Sequence, residues 1–194
     1  MGLGVNLWVG CWQAGFSQGG NNIVGDYLKL QLNWSDKEAE LNNSIIAFVE
    51  VFGITAGSFA ANLFVEYGRR KTIIICNLII ILATIMTLIL NFWLIVIGKL
   101  IFSICAGLIL IATNIYINET VPRQLSSLFG NLVNFGIITA IFFELSFGLA
   151  FPDIKDEPEE AKNTQLWRVA YGFQIIPCIL STIAWLCVHK HETP

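Results

Sequence analysis

The side chains able to do chemistry in this chain are ionisable and amide groups set inside long apolar runs. Glu50, Lys99 and Glu144 each lie about 6 to 10 residues inside one end of such a run, which at 1.5 Å per helical residue is a shared depth of roughly 9 to 15 Å. An ionisable group facing hydrocarbon there costs about 2.5 to 3.5 kcal/mol on the insertion scale, so Lys99 is expected to turn inward and meet at least one glutamate. Such a contact is a structural tie in an inert protein and a gate in one that moves solute. Gln13, Asn131 and Asn134 form the second set: amides that either line a polar cavity or hydrogen-bond to neighbouring helices. The third set is the polar interruption Glu66-Tyr67-Gly68-Arg69-Arg70-Lys71, whose excess of positive charge by itself marks a cytoplasmic face. Catalytic hardware is not legible: there is no Ser/His/Asp set, catalytic carboxylate pair or phosphate-cradling loop. His189 and His191 flank Lys190 at a helix end, a place suited to the membrane interface more than to a metal. Cys11, Cys76, Cys105, Cys178 and Cys187 are scattered through apolar segments without a CxxC and read as buried thiols. The expectation is a protein that is not an enzyme and holds no metal or cofactor.

The elements that must position these groups follow from composition. With 55% hydrophobic and 13% charged residues, the chain is far less charged than a soluble domain at about 25%. It reads as an all-α integral membrane protein with the lipid bilayer as its solvent. A net charge of -3 excludes a nucleic-acid surface. At about 20 apolar residues per span, the 194 residues form one six-helix transmembrane domain, with spans expected near 3–24, 44–65, 72–90, 94–117, 128–151 and 167–188. The first run has no basic segment before it and no small-residue cleavage site after it, so it reads as a span and not a signal peptide. It carries Asn6, Gln13, Ser17, Gln18, Asn21 and Asn22, which cannot face lipid. A charged loop is expected from Asp26 to Asn43, with the sequons Asn33-Trp34-Ser35 and Asn42-Asn43-Ser44 hinting at an external face. In the second span Gly53, Gly57 and Ala61 recur every four residues, a stripe on which another helix can pack backbone to backbone, with Glu50 on the same stripe. Pro122 ends the fourth span, and Asn131 and Asn134, three residues apart, share a face of the fifth. The loop holding Asp153, Asp156, Glu157, Glu159 and Glu160 is net negative. Charge asymmetry and an even helix count put both termini and Arg69 on one face, cytoplasmic or matrix, with Asn33 and Glu157 opposite.

Several motifs carry a family resemblance. The run Gly57-Ser58-Phe59-Ala60-Ala61-Asn62-Leu63-Phe64-Val65 with Gly68-Arg69-Arg70 resembles the loop between helices 2 and 3 of major facilitator transporters, and within them is most similar to the sugar porters, the hexose facilitators. Gln13-Ala14-Gly15-Phe16-Ser17-Gln18-Gly19 looks like their first helix, with departures at Ala14, Phe16 and Ser17. Gly98-Lys99 stands where the family has Gly-Arg. Tyr116-Ile117-Asn118-Glu119-Thr120-Val121-Pro122 resembles the run Tyr-x-x-Glu-x-x-Pro at the right spacing after it. His191-Glu192-Thr193-Pro194 matches the start of the signature Pro-Glu-Ser-Pro-Arg.

The resemblance covers the whole chain but only the N-terminal half of a full transporter. It implies substrate contacts at Asn134, where hexose facilitators carry a sugar-binding glutamine, and at Gln13. It implies a charge network of Glu66, Gly68, Arg69, Arg70, Glu119 and Arg123 that latches the outward-facing state. The turn is one residue short, so that Val65 or, with a gap, Glu66 takes the acidic position. Ser126-Ser127 replaces an Arg-Gly pair, leaving Arg123 as the substitute. Two functions are implied. One is half of a facilitative hexose transporter, moving solute by alternating access only when paired with a second half. The other is a transporter-derived, non-transporting subunit of a larger membrane complex, for example in the mitochondrial inner membrane. The partners are then a second half or other membrane subunits, with a hexose as solute in the first case.

Overall fold

Within hydrocarbon every backbone donor and acceptor must be satisfied internally, so apolar runs of this length close into helices. The computed structural model describes residues 8–65, 67–149, 151–152 and 164–187, with the side chains of 21–23 outside the description. Among the described residues seven helices follow one another: α1 Trp12–Leu32, α2 Asp36–Val65, α3 Arg69–Thr87, α4 Phe92–Thr120, α5 Arg123–Gly148, α6 Leu166–Phe173 and α7 Ile175–Cys187. No strand occurs among the described residues. The last two helices fill the sixth expected span. The break at Gln174 stands three residues before Pro177, which has no N–H to bond the Phe173 carbonyl. Five of these segments, α6 and α7 counted together, are long and apolar enough to cross a membrane. The remaining helix, α1, is the one carrying Gln13, Ser17, Gln18, Asn21 and Asn22.

The loop expected over Asp26–Asn43 is instead almost wholly helical. α1 continues to Leu32, Asn33 ends it in the left-handed region with φ 53°, and α2 begins at Asp36. Local chemistry explains the difference: the Ser35 backbone N–H and hydroxyl both donate to Glu38 Oε2 (2.9 and 2.8 Å), while the Glu38 N–H points back to Ser35 Oγ (3.4 Å). That reciprocal capping starts a helix among charged residues. Lys29 pairs with Asp36 across the turn.

Two parallel seams build the bundle. On the α2–α4 seam a Cβ added at Gly53 would lie 2.7 Å from Ser103 Cβ, and one at Gly57 would enter the backbone of Ile104. A Cβ added at Gly107 of α4 would stand 2.3 Å from the Ile54 carbonyl oxygen and 3.0 Å from the Ser58 nitrogen. The stripe read in the sequence is therefore the surface on which α4 rides. On the second seam Gly136 of α5 meets Trp8, Gly15 of α1 meets Ile137 and Ala140, and Gly19 and Gly20 meet Glu144. α3 runs antiparallel to α4 through a short turn, where the Asn91 side chain accepts from the Trp93 and Leu94 N–H groups.

Candidate functional site

Among the described residues the apolar interior holds one charged centre, assembled from four helices. Lys99 of α4 and Glu50 of α2 approach to 2.8 Å with side chains only 2% and 6% exposed, an ion pair more than an aligned hydrogen bond. Their meeting follows from the α2–α4 seam, because Glu50 lies one turn before Gly53 on the stripe that seats α4. The Lys99 ammonium also stands 4.4 Å over the ring of Tyr171 on α6, a desolvated cation–π contact. Glu144 comes from α5, is 1% exposed, and lies within electrostatic reach of both Lys99 and Glu50. Its carboxyl fills the space opened by Gly19 and Gly20: a Cβ at Gly19 would stand 2.6 Å from Oε2. The depth argument brought Lys99 to a glutamate; the glycine cradle and Tyr171 were not legible in it.

A second polar centre closes the Arg69 end. Gly68 adopts φ 116° and starts α3, a backbone that L side chains rarely take. Arg69 forms an ion pair with Glu119 at the end of α4. Arg70 donates from Nε to the Trp185 carbonyl (2.9 Å) and from a terminal nitrogen to the Leu186 carbonyl (3.2 Å), capping the last turn of α7. Arg123 is exposed and joins no ion pair among the described residues. Beside it, Ser126 Oγ donates to Asn118 Oδ1 at 3.2 Å. Glu66, the acidic loop over 153–163, and His189 and His191–Pro194 lie outside the described residues, as does Asn6.

The two amides expected to touch solute are not on one surface. Gln13 is fully buried, with the Cys178 thiol as its polar neighbour. Asn131 and Asn134 are both exposed. Between these extremes runs a set of interhelical hydrogen bonds: Ser17, one of the polar residues of the first run that cannot face lipid, meets Ser103 (2.8 Å), and two further bonds were missed in the sequence, Asn77 donating to Ser181 (3.2 Å) and Gln174 donating to Thr84 (3.0 Å). Single polar residues inside apolar runs were their only signal.

Residues 12–194 match the family model described as "Sugar (and other) transporter". The chain is 30% identical over 193 residues to facilitated glucose transporter member 3 of solute carrier family 2 from Oryctolagus cuniculus, covering 91% of this chain and 37% of that protein. It is 27% identical over 183 residues to hexose transporter 1 of Plasmodium knowlesi, covering 89% and 37%. Among solved structures, the proton:xylose symporter XylE bound to 6-bromo-6-deoxy-D-glucose superposes with a TM-score of 0.81 at 16% identity, covering 95% of this chain and 44% of that one. That likeness is one of fold. The chain thus spans little more than a third of the length of these curated relatives.

Proposed function

Because the chain belongs to the family of sugar (and other) transporters and is an integral membrane protein, we propose that it is one half of a facilitative hexose carrier. It moves solute by alternating access only when a second half closes against it. The observation that supports this reading is the exposure of Asn131 and Asn134 on α5. Amides are disfavoured against lipid, so this face belongs against water or protein. α2 and α5 are also the least covered spans, with 28% and 22% of their apolar stretch buried against 56% in α4. A second half seated there places Asn134 at a wet midplane, where rocking of the halves exposes it to each side in turn. The Arg69–Glu119 pair and the Arg70 caps then hold α3, α4 and α7 together at one end, and opening that end requires breaking them.

The test is to purify the chain without denaturing it, identify what accompanies it, and measure hexose uptake in proteoliposomes with and without that companion. Saturable uptake is expected with it, and Asn134→Ala weakens sugar binding by about 1 to 3 kcal/mol through loss of a buried hydrogen bond. Saturable hexose uptake that Asn134→Ala leaves untouched refutes the assignment. A second reading, the non-transporting structural subunit, is favoured by Ser126-Ser127, where the family's Arg-Gly pair is missing and Ser126 bonds Asn118 instead. It expects the Asn131/Asn134 face packed against other subunits and no uptake with any companion.

A further inference from the structure

Glu50, Lys99 and Glu144 place two carboxyl groups and one ammonium in a site closed to water. Glu50 takes the ammonium at 2.8 Å. Glu144 has no such partner among the described residues: its Oε2 is buried without a hydrogen bond there, as is the hydroxyl of Tyr171, whose ring faces the same ammonium. Among the described residues, the surroundings of Glu144 hold few charges. α1 presents Gly19 and Gly20, α4 presents Lys99, α2 presents Glu50 and α6 presents Tyr171. An unpaired carboxylate in this place is disfavoured, because one ammonium cannot neutralise two anions and burial strips both carboxyl groups of most of their hydration. A carboxylic acid is neutral and fits the same cradle.

We propose that Glu144 is a proton-binding site, holding one proton from water against Gly19 and Gly20, and that Lys99 is shared between Glu50 and Glu144 according to which of them is protonated. When the proton leaves Glu144 for solvent, the carboxylate competes with Glu50 for the ammonium. Protonation of Glu50 instead hands Lys99 wholly to Glu144. The proton therefore decides whether α4 is tied to α2 or to α5, and these are the two least covered spans. The chemistry is that of a proton alone, with no metal and no bond formed other than O–H.

The proposal makes a counting rule: buried protonated carboxyls equal the carboxyl groups in the site less its ammonium groups. Infrared spectroscopy of the purified full chain in lipid, at neutral pH with hydrogen–deuterium exchange, reads the carboxylic-acid stretch directly and needs no transport. Wild type is expected to show one buried acid, and Glu144→Gln none. Glu50→Gln also shows none, because Lys99 passes to an ionised Glu144. Lys99→Met shows two. Where a single variant fails to keep its helical circular dichroism, Glu50→Gln/Lys99→Met removes the ion pair whole and is expected to retain one acid. An acid band that is unchanged in Glu144→Gln, or a double variant without that band, overturns the proposal. Failure of hexose uptake leaves this readout unaffected, so the two readings fail separately.

Discussion

Two ion pairs of similar chemistry sit in opposite surroundings. Lys99–Glu50 is 2% and 6% exposed, whereas Arg69–Glu119 is 43% exposed on both sides. Two unit charges about 4 Å apart attract by roughly 1 kcal/mol in water and about 4 kcal/mol at an effective dielectric of about 20. The inner pair gains more from contact, yet its charges have also lost their hydration. Water can replace either partner at the Arg69 end, so that pair can open and re-form at little cost. The inner pair has no substitute for a lost partner except Glu144. A contact meant to break during a cycle belongs at the exposed end. A contact that must stay satisfied in every state belongs inside, where only an exchange between glutamates is possible.

The largest effect is expected at Lys99. Lys99→Ala removes the one cation of the inner centre among the described residues and a fully buried side chain, so Glu50 loses its partner, Glu144 its only nearby described positive charge, and a cavity remains. Breaking a buried pair costs about 3 to 5 kcal/mol, measured as a loss of stability in denaturation of the detergent-solubilised protein. Glu50→Gln costs less, because Glu144 is at hand to take the ammonium. Equal losses for the two variants contradict the exchange between glutamates.

Next in size is a change that separates the two pairs geometrically. Gly57→Ala pushes a methyl into the Ile104 backbone, and overpacking of this kind costs about 1 to 3 kcal/mol. It forces α2 away from α4 and so lengthens Glu50–Lys99. Arg69–Glu119 joins α3 to α4 and is left in place. A cysteine pair introduced across each contact for cross-linking reads the difference. Equal cross-linking losses at both contacts mean that the seam does not position the inner pair.

What the sequence disclosed divides along the same line. Periodicity and depth are one-dimensional: from them came the Gly53/Gly57/Ala61 seam, the shared level of Glu50 and Lys99, and the common face of Asn131 and Asn134. The match of Glu144 to Gly19 and Gly20 depends on how α1 lies along α5, which neither helix encodes alone. Gln13 and Asn134, grouped by resemblance, are separated because only one of them turns into the bundle. The charges between Asp26 and Asn43 masked the helix-starting pair Ser35 and Glu38, although its spacing stood in the sequence. Pro177 was visible, but its effect was not: it divides the sixth span at Gln174, whose side chain then reaches Thr84 on α3.

The smallest effect is expected at the exposed pair, and its smallness is informative. Arg69→Ala removes the partner of Glu119, but both side chains are open to solvent and water takes over the freed carboxylate. Exposed pairs contribute about 0 to 1 kcal/mol, so the loss of stability should fall in that range. Salt distinguishes this pair from the inner one. At 0.15 M ionic strength the screening length is about 8 Å, so added salt should shrink the gap between wild type and Arg69→Ala. The loss in Lys99→Ala should hardly respond, since ions do not enter the site. A loss of several kcal/mol for Arg69→Ala, insensitive to salt, would mean that this end is closed to water in the folded protein. The Arg69–Glu119 pair would then be as permanent as the one it was contrasted with, and unsuited to opening during a transport cycle.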